Sequence, residues 1–336
     1  MPKRARRSPS RSVNVLQDRV DEDARLANLD RKLEGLQLEG HWRLPHAHRT
    51  EPSPVAPPYR WKWTDIRSSL LEAGEIRAID GGAGRRTVRL CTPGLSAKWT
   101  TPTIHASIQL VKPGEVAPAH RHTMGALRFI IEGHGGYTTV NGTKLVMEPG
   151  DLVLTPGWDW HDHGHDGDRP MIWIDGHDFP FTNHLNGIFF ENFPERQQPV
   201  TAVAGPGHHY VFKGSESRAQ LAAQGEVTFT DPRTGATTLP TMTCRLTRLD
   251  AGRETPRTRR TANVIYHVVE GSGTTQAGDR ELRWETGDLF VVPGWTWAEH
   301  RAETRGGAIL FSMSDEPILE RYGVFRVETA SEVRAG

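Results

Sequence analysis

The stretch GEVAPAHRHTMGALRFIIEGHG, residues 114–135, decides the fold because a second version of it follows later in the chain. Residues 252–273 read GRETPRTRRTANVIYHVVEGSG, and the proline turns, the apolar runs and the Glu-Gly-x-Gly ends align. Further on, GDLVLTPGWDWH (150–161) matches GDLFVVPGWTWA (287–298) at nearly the same separation. A long-period repeat of strand-and-turn units predicts two copies of one β domain rather than a solenoid.

The pattern around the repeat predicts an all-β protein. Short apolar runs such as 127–131 and 153–155 alternate with glycine and proline, and Asn141-Gly142 is a hairpin signal. We therefore expect two jelly-roll barrels with an N-terminal helical arm. Leucines at 26, 29, 33 and 36 predict a helix over 14–37. The predicted regions are a tail, helix and arm (1–60), a first barrel (61–180), a connection (181–240), a second barrel (241–316) and a C-terminal tail (317–336).

Three histidines of the first copy predict a metal site. Side chains alternate along a strand, so His120 and His122 share one face, and His161 can join them from a later strand. Imidazole ligands suit Zn, Cu, Fe and Ni, and three protein ligands leave coordination positions open for catalysis.

The second copy has lost these ligands. Thr258, Arg260 and Ala298 stand at the corresponding positions, and none of the three is a good ligand for a transition metal. A fold that needed the histidines would not form without them. The first set is therefore predicted to be functional rather than structural.

These motifs resemble the cupin signature, and two copies of it resemble a bicupin. HRHTMGALRFIIEGHGGYTTVNG and PGDLVLTPGWDWHDHGHDGDRPMIWIDGHDFP are specifically similar to gentisate 1,2-dioxygenase and related salicylate-type ring-cleaving dioxygenases. The resemblance spans about 61–316. The cupin glutamate ligand is replaced by Ala126 or Leu127, a loss that gentisate-type enzymes share. His165 replaces an asparagine of the second motif, and His105 replaces an aromatic residue usual in the subfamily.

The resemblance implies an Fe(II) enzyme of aromatic catabolism. The reaction would insert both atoms of O2 and cleave the C1–C2 bond of a 2-hydroxybenzoate, such as gentisate or a 5-substituted salicylate, including 5-nitrosalicylate. It also implies a homo-oligomer, a tetramer in the family. Two alternatives stay open: a non-catalytic storage or regulatory bicupin, and a metal-dependent cupin enzyme that acts on a different acid.

Arginines are the expected partners of an anionic substrate. By resemblance, Arg85 or Arg86 contacts the substrate carboxylate; the alternative is a solvated strand edge. Arg128, six residues after His122, would share its face on a continuous strand, and by resemblance it binds substrate. An inward arginine is costly unless it is paired, so a structural salt bridge is the alternative.

Three further residues complete the predicted site. Asp175 lies in an apolar run and needs partners, a ligand imidazole or Arg128, while the second copy has Ser312 there. His163, two residues past His161, is expected to point inward and assist catalysis beside the metal ligands; the alternative is a surface or packing role. His105 would offer a donor to a polar substituent at C5 of the substrate ring, unless it is a satisfied core histidine.

Composition excludes other classes. Lys+Arg and Asp+Glu are both 41, so no net field favours nucleic acid or a membrane surface. The chain has no run of 18 apolar residues and no secretory signal, which predicts a cytoplasmic protein without a membrane span. The basic residues among 1–12 are expected to be a solvated terminus rather than a nucleic-acid arm.

Overall fold

A computed structural model describes residues 11–44, 49–79, 85–95 and 97–333, with only the backbone described for 11–21 and 333. The chain divides into two compact units, 1–52 and 53–336. The first unit contains helix α1 (Arg11–Gly35) and a 3-10 turn, His41–Arg43, so the predicted N-terminal helix is confirmed. Residues 1–10, with most of the basic tail, lie outside the described residues. Within the described part of the chain, no helix is long and apolar enough to cross a membrane.

The second unit is dominated by strands. Its earlier strands are β1 (Tyr59–Trp61), β2 (Thr87–Arg89), β3 (His105–Val111), β4 (Val116–His122), β5 (Ala126–Glu132), β6 (Gly136–Val140), β7 (Thr143–Met147), β8 (Leu152–Thr155), β9 (His161–His165), β10 (Met171–His177), β11 (Phe190–Asn192), β12 (Ala202–Val203) and β13 (Val211–Phe212). Its later strands are β14 (Glu226–Thr228), β15 (Thr243–Leu249), β16 (Thr258–Arg260), β17 (Val264–Glu270), β18 (Ser272–Ala277), β19 (Arg280–Glu285), β20 (Leu289–Val292), β21 (Ala298–Ala302), β22 (Ala308–Ser314) and β23 (Val327–Thr329). Its helices are α2 (Trp63–Ile76), α3 (Phe179–His184), α4 (Gly214–Gln224), α5 (Glu316–Arg321) and α6 (Ala330–Val333).

Four sheets form two barrels. The first barrel has the strand orders β13-β8-β5-β10-β3-β2 and β11-β4-β9-β6-β7-β12. The second has β1-β20-β17-β22-β15-β14 and β19-β18-β21-β16-β23. Strand β1 therefore belongs to the second barrel, where it pairs with the distant strand β20. Among the described strands, the ladders are antiparallel except for β7 with β12. This arrangement confirms the predicted bicupin of two jelly-roll barrels.

The strand register confirms the internal repeat. His120 lies opposite His161 where β4 pairs with β9. Thr258 lies opposite Ala298 where β16 pairs with β21. The positions of the lost ligands therefore coincide with those of the histidines, and the second barrel keeps the framework of the site without its donors.

The Asn141-Gly142 turn joins β6 to β7 as predicted. Both residues have positive φ, 45° and 80°, which a two-residue type I′ turn requires. A Cβ on Gly142 would lie 2.7 Å from the hydroxyl of Thr201, so this turn position needs glycine for space as well as for conformation.

The two barrels share one hydrophobic core. Residues of both belong to a single cluster, in which Phe129 of the first stacks on Phe311 of the second with ring centroids 4.2 Å apart. Burial of apolar surface stabilises each barrel by about 25 cal/mol per Å². The second barrel therefore stabilises the first, which gives it a structural role after the loss of its ligands.

Two buried aspartates join the barrels reciprocally. Asp178 follows β10 and Asp315 follows β22, and each accepts hydrogen bonds both from its own barrel and from the other. The donors include the Gly125 amide (2.9 Å) and the Thr241 hydroxyl (2.6 Å) for Asp178, and the Asn263 amide (2.7 Å) and the Thr103 hydroxyl for Asp315. Burial raises the pKa of both carboxyls, against the effect of these bonds.

Candidate metal centre and substrate pocket

Two adjacent strands bring the three predicted ligands together. His120 and His122 end β4, and His161 begins β9, which pairs with β4 in the same sheet. All three side chains are buried, and one ring nitrogen from each lies within 4.8 Å of the others. Among the described residues this is the one cluster of three or more side chains that could hold a metal ion.

Hydrogen bonds to the backbone fix the orientation of each imidazole. In all three rings Nδ1 lies within hydrogen-bond distance of a backbone carbonyl and donates to it, which leaves Nε2 deprotonated. The acceptors are Pro118 for His120 (2.8 Å), Met124 for His122 (2.9 Å) and Asp159 for His161 (3.0 Å). Nε2 of His161 is buried and has no partner among the described residues. Imidazoles that donate Nδ1–H to a carbonyl and keep a lone pair on Nε2 are the arrangement that metal ligands adopt. These residues fit a divalent metal, which would replace the Arg85 guanidinium as the partner of Nε2 of His120.

The electrostatics of the site keep these rings neutral. Burial lowers the pKa of His120 to about 2 and that of His122 to about 4, and the charge of Arg85 adds to both shifts. The pKa of His161 is also lowered well below its ordinary value, again chiefly by burial. A neutral imidazole is the form that binds a metal.

A cavity of about 620 Å³ opens beside the imidazoles. Its wall includes His120 and His122, and the ring of Phe190 stacks on His120 with centroids 5.2 Å apart. The cavity is large enough for a single-ring aromatic acid.

Arg85 and Arg86 point to different environments. Arg85 lines the cavity, and its guanidinium donates to Nε2 of His120. Arg86 is buried elsewhere: it forms a two-pronged ion pair with Glu115, at 2.7 and 2.9 Å, and donates to the carbonyl of Arg77. The expectation that Arg86 binds substrate does not fit this geometry, because the Arg86 guanidinium is already paired with the Glu115 carboxylate. Arg85 lines the cavity beside His120, and its contact with the substrate carboxylate stays a prediction.

Arg128 and Asp175 form a buried pair across β5 and β10. Nε of Arg128 lies 3.5 Å from Oδ1 of Asp175, Nη1 donates to the Thr155 hydroxyl at 2.6 Å, and Trp173 donates to Asp175 at 2.9 Å. Burial lowers the pKa of Arg128 to about 10 and raises that of Asp175, and each charge opposes the other's shift.

Only the aspartate of this pair reaches the cavity. Asp175 lines the cavity. Arg128 is fully buried behind Asp175 and does not line the cavity. The strand assumed in the sequence argument is also interrupted, since β4 ends at His122 and β5 begins at Ala126. The pairing of Arg128 with Asp175 fits the salt-bridge alternative, and direct contact of Arg128 with substrate stays a prediction.

His163 is packed rather than presented to the cavity. Its Nδ1 lies 2.8 Å from the Thr138 hydroxyl, and its ring is 6.0 Å from that of His161. The second barrel has the same pair, His300 with Thr275, at the same 2.8 Å. Because the barrel without metal ligands keeps this contact, the catalytic role expected for His163 is better replaced by a structural one.

His105 offers the unpaired donor that its position predicted. Its Nδ1 accepts from the Thr100 amide at 3.2 Å, so Nε2 carries the ring proton. Nε2 is buried without a partner among the described residues, and His105 lines the cavity. Burial, with the charge of Arg89, lowers the pKa of His105 to about 4, which keeps the ring neutral.

Parts of the cavity wall were not predicted from the sequence. Phe190 and Asn192 come from β11, inside the segment treated as a connection, and β11 pairs with the ligand strand β4. Gln109 lines the cavity with an unpartnered Nε2. The aromatic pair 189–190 in a polar segment was a signal for β11, whereas nothing in the sequence distinguished Gln109.

The chain is similar to known ring-cleaving enzymes. Residues 107–177 match the family model described as "Cupin domain". The chain is 34% identical to a gentisate 1,2-dioxygenase from Streptomyces sp, over 82% of this chain and 87% of that one. It is also 34% identical to a 5-aminosalicylate 1,2-dioxygenase from Comamonas sp, over 80% of each. The solved salicylate 1,2-dioxygenase from Pseudoaminobacter salicylatoxidans, in adducts with gentisate, superposes with a TM-score of 0.85 and 32% identity, covering 91% of this chain and 94% of that one.

Proposed function

The chain belongs to the gentisate and salicylate 1,2-dioxygenase family of ring-cleaving enzymes, and from that premise we propose that it cleaves the C1–C2 bond of a 2-hydroxybenzoate with ferrous iron and O2. The observation that supports this most is the convergence of three neutral imidazoles beside Arg85 in one cavity.

The donor set supports iron. Three neutral ligands leave a divalent ion with its full charge, which favours a substrate that brings its own anionic oxygens. Ferrous iron would supply the binding of O2 and the electron exchange that redox-inert zinc does not provide. His120, His122 and His161 would hold it through Nε2.

The chain's own residues would bind and orient the acid. Arg85 is placed to bind the substrate carboxylate next to the imidazoles, in the charge-assisted geometry that guanidinium groups favour. Asp175 carries a buried carboxylate to the cavity wall, and Arg128 holds that carboxylate in place. Phe190 covers His120 and limits water at that side of the site.

His105 would recognise the ring substituent. A polar group at C5, the hydroxyl of gentisate or the nitro group of 5-nitrosalicylate, would accept the hydrogen bond for which Nε2 has no acceptor among the described residues. We therefore propose a 5-substituted 2-hydroxybenzoate as the preferred substrate over unsubstituted salicylate.

Homo-oligomeric assembly is part of the proposal. Leu29 of α1 and Leu36, which directly follows the helix, are 41% and 59% exposed, and a helix with exposed leucines is suited to pair with another copy. Light scattering on the purified protein would give the assembly size, and a monomer at micromolar concentration would refute this point.

Oxygen uptake tests the whole proposal. Uptake should occur with gentisate and 5-substituted salicylates, require added Fe(II) after chelation, and not be restored by Zn(II). No uptake with any 2-hydroxybenzoate by iron-loaded protein would refute the function, and equal rates with zinc would refute the role of iron.

A further inference from the structure

The second barrel contains a cavity that corresponds to the substrate pocket of the first. It measures about 310 Å³. Pro256, Thr258 and Arg260 line it at the positions that Pro118, His120 and His122 occupy in the first barrel. The metal ligands are gone, yet the space has not been filled by larger side chains.

Arg260 places a cation near the position of the lost metal. The nearest carboxylate among the described residues is Glu316, 4.0 Å away. Glu316 already accepts two hydrogen bonds from Arg245, at 2.9 and 3.1 Å. No described residue accepts a hydrogen bond from the Arg260 guanidinium, whose side chain is 33% exposed. Its donors are therefore available to a ligand.

A residue with a buried hydroxyl lines the same cavity. Oγ1 of Thr296 has no partner among the described residues, and Thr296 is 7% exposed and lines the cavity. A buried hydroxyl without a partner is unfavourable, and a ligand oxygen that accepted its hydrogen bond would remove that penalty.

The charged side chains on the cavity wall are Arg245, Arg260 and Glu226. Burial raises the pKa of Tyr266 on the wall, and the largest opposing effects are the charges of Arg260 and then Arg245, with Glu226 a smaller effect of opposite sign. Glu226 is exposed, so solvent screens it. The same Arg260 charge adds to the burial that lowers the pKa of His300 to about 4.

Part of the remaining wall is apolar, beside the polar residues Thr247, Thr255 and Ser312. Val264, Val292 and Leu310 contribute aliphatic surface, and the Tyr266 ring is held parallel to Phe290 with centroids 4.7 Å apart. A guanidinium at one side of such a wall matches a small anion with an apolar body.

We propose that the second barrel binds a monocyclic aromatic carboxylate. The carboxylate would bind Arg260, with one carboxylate oxygen within reach of the Thr296 hydroxyl. No metal takes part, because Thr258, Arg260 and Ala298 supply no ligand set. The site is separate from the ring-cleaving centre and does not depend on the function proposed for it.

Benzoate binding to the iron-loaded protein without O2 tests this inference. Equilibrium dialysis with radiolabelled benzoate should show that Arg260→Gln loses one bound benzoate per chain relative to wild type. Arg301→Gln is the matched control, since Arg301 is on the same barrel, 53% exposed and also 4.0 Å from a glutamate, Glu254. It should bind as wild type does. Oxygen uptake by Arg260→Gln should stay within about twofold of wild type, because the variant leaves the first barrel intact.

Unchanged benzoate binding by Arg260→Gln, or no binding to wild type in either barrel, would overturn the proposal. If Arg260→Gln does not fold, Thr296→Val gives a second test. This change removes no hydrogen bond of the free protein, so it should keep the thermal midpoint and weaken the second benzoate site about 2- to 10-fold. Unaltered affinity in Thr296→Val would count against the proposal in that case.

Discussion

The ring proton of His105 is the residue-scale feature that most directly links this chain to a substrate. We expect His105→Phe to lower kcat/KM on gentisate and 5-nitrosalicylate about 2- to 10-fold more than on salicylate, since one neutral hydrogen bond contributes about 0.5–1.5 kcal/mol. The variant also removes the acceptor of the Thr100 amide, and salicylate controls for that common loss. Steady-state kinetics on the three acids measure the difference, and equal losses would remove His105 from substrate recognition.

Arg85 and Arg86 are neighbours in sequence with opposite expected effects. Arg85→Gln should lower kcat/KM by one to two orders of magnitude, because a charged hydrogen bond is worth about 1.5–3 kcal/mol, and should leave the thermal midpoint nearly unchanged. Arg86→Gln should reduce the free energy of unfolding by up to about 3 kcal/mol, since it leaves Glu115 without its partner, while kcat/KM of the folded enzyme persists. Thermal denaturation and kinetics on both variants check this, and reversed results would contradict the assignment.

The ligands could be predicted at this scale and their surroundings could not. His120 and His122 follow from strand alternation, a local rule. The sequence did not predict that Arg86 pairs with Glu115, 29 residues away, or that His163 contacts Thr138 on another strand. Such partners are set by strand pairing, which the local sequence does not encode.

At the scale of elements, β9 with β6 and β21 with β18 form equivalent pairs. Each pair is joined by a threonine and a histidine, Thr138–His163 in the first barrel and Thr275–His300 in the second. We expect Thr138→Val and Thr275→Val each to reduce the free energy of unfolding by about 1 kcal/mol, because each leaves a buried imidazole nitrogen with one partner fewer. Denaturant melts measure that loss.

Metal content and turnover distinguish structure from catalysis in this pair of variants. If His163 acts only in packing, Thr138→Val and Thr275→Val should both keep the metal and the turnover of wild type. A fall in kcat confined to Thr138→Val would show that His163 assists the reaction.

Helices and strands with a strong local sequence pattern could be predicted, and those without one could not. The hairpin at Asn141-Gly142 and the N-terminal helix carry strong signals and were predicted, the helix over 14–37 where the structure has it over 11–35. Strand β11 is three residues long in a polar segment, and it forms because β4 offers an unpaired edge. That cause lies in the partner strand, so β11 was missed.

At the scale of the whole molecule, the shared core determines how the barrels respond to the metal. Phe129 and Phe311 stack across the interface, and Asp178 and Asp315 each bond to both barrels. Barrels joined in this way should unfold together, although only the first has ligands for a metal. A metal bound to the folded state alone stabilises it by RT ln(1 + [L]/Kd), about 4 kcal/mol at a thousandfold excess over Kd.

Calorimetry would therefore show one transition for residues 53–336, and chelation should lower its midpoint without splitting it. His161→Ala should have the lower midpoint from the start and should not respond to the chelator, because one of three ligands is missing. Ala298→His is the control in the second barrel: it restores one ligand beside Thr258 and Arg260, so bound metal should stay at one ion per chain. Two transitions, of which chelation moves only the first-barrel one, would show that the shared core does not couple the barrels.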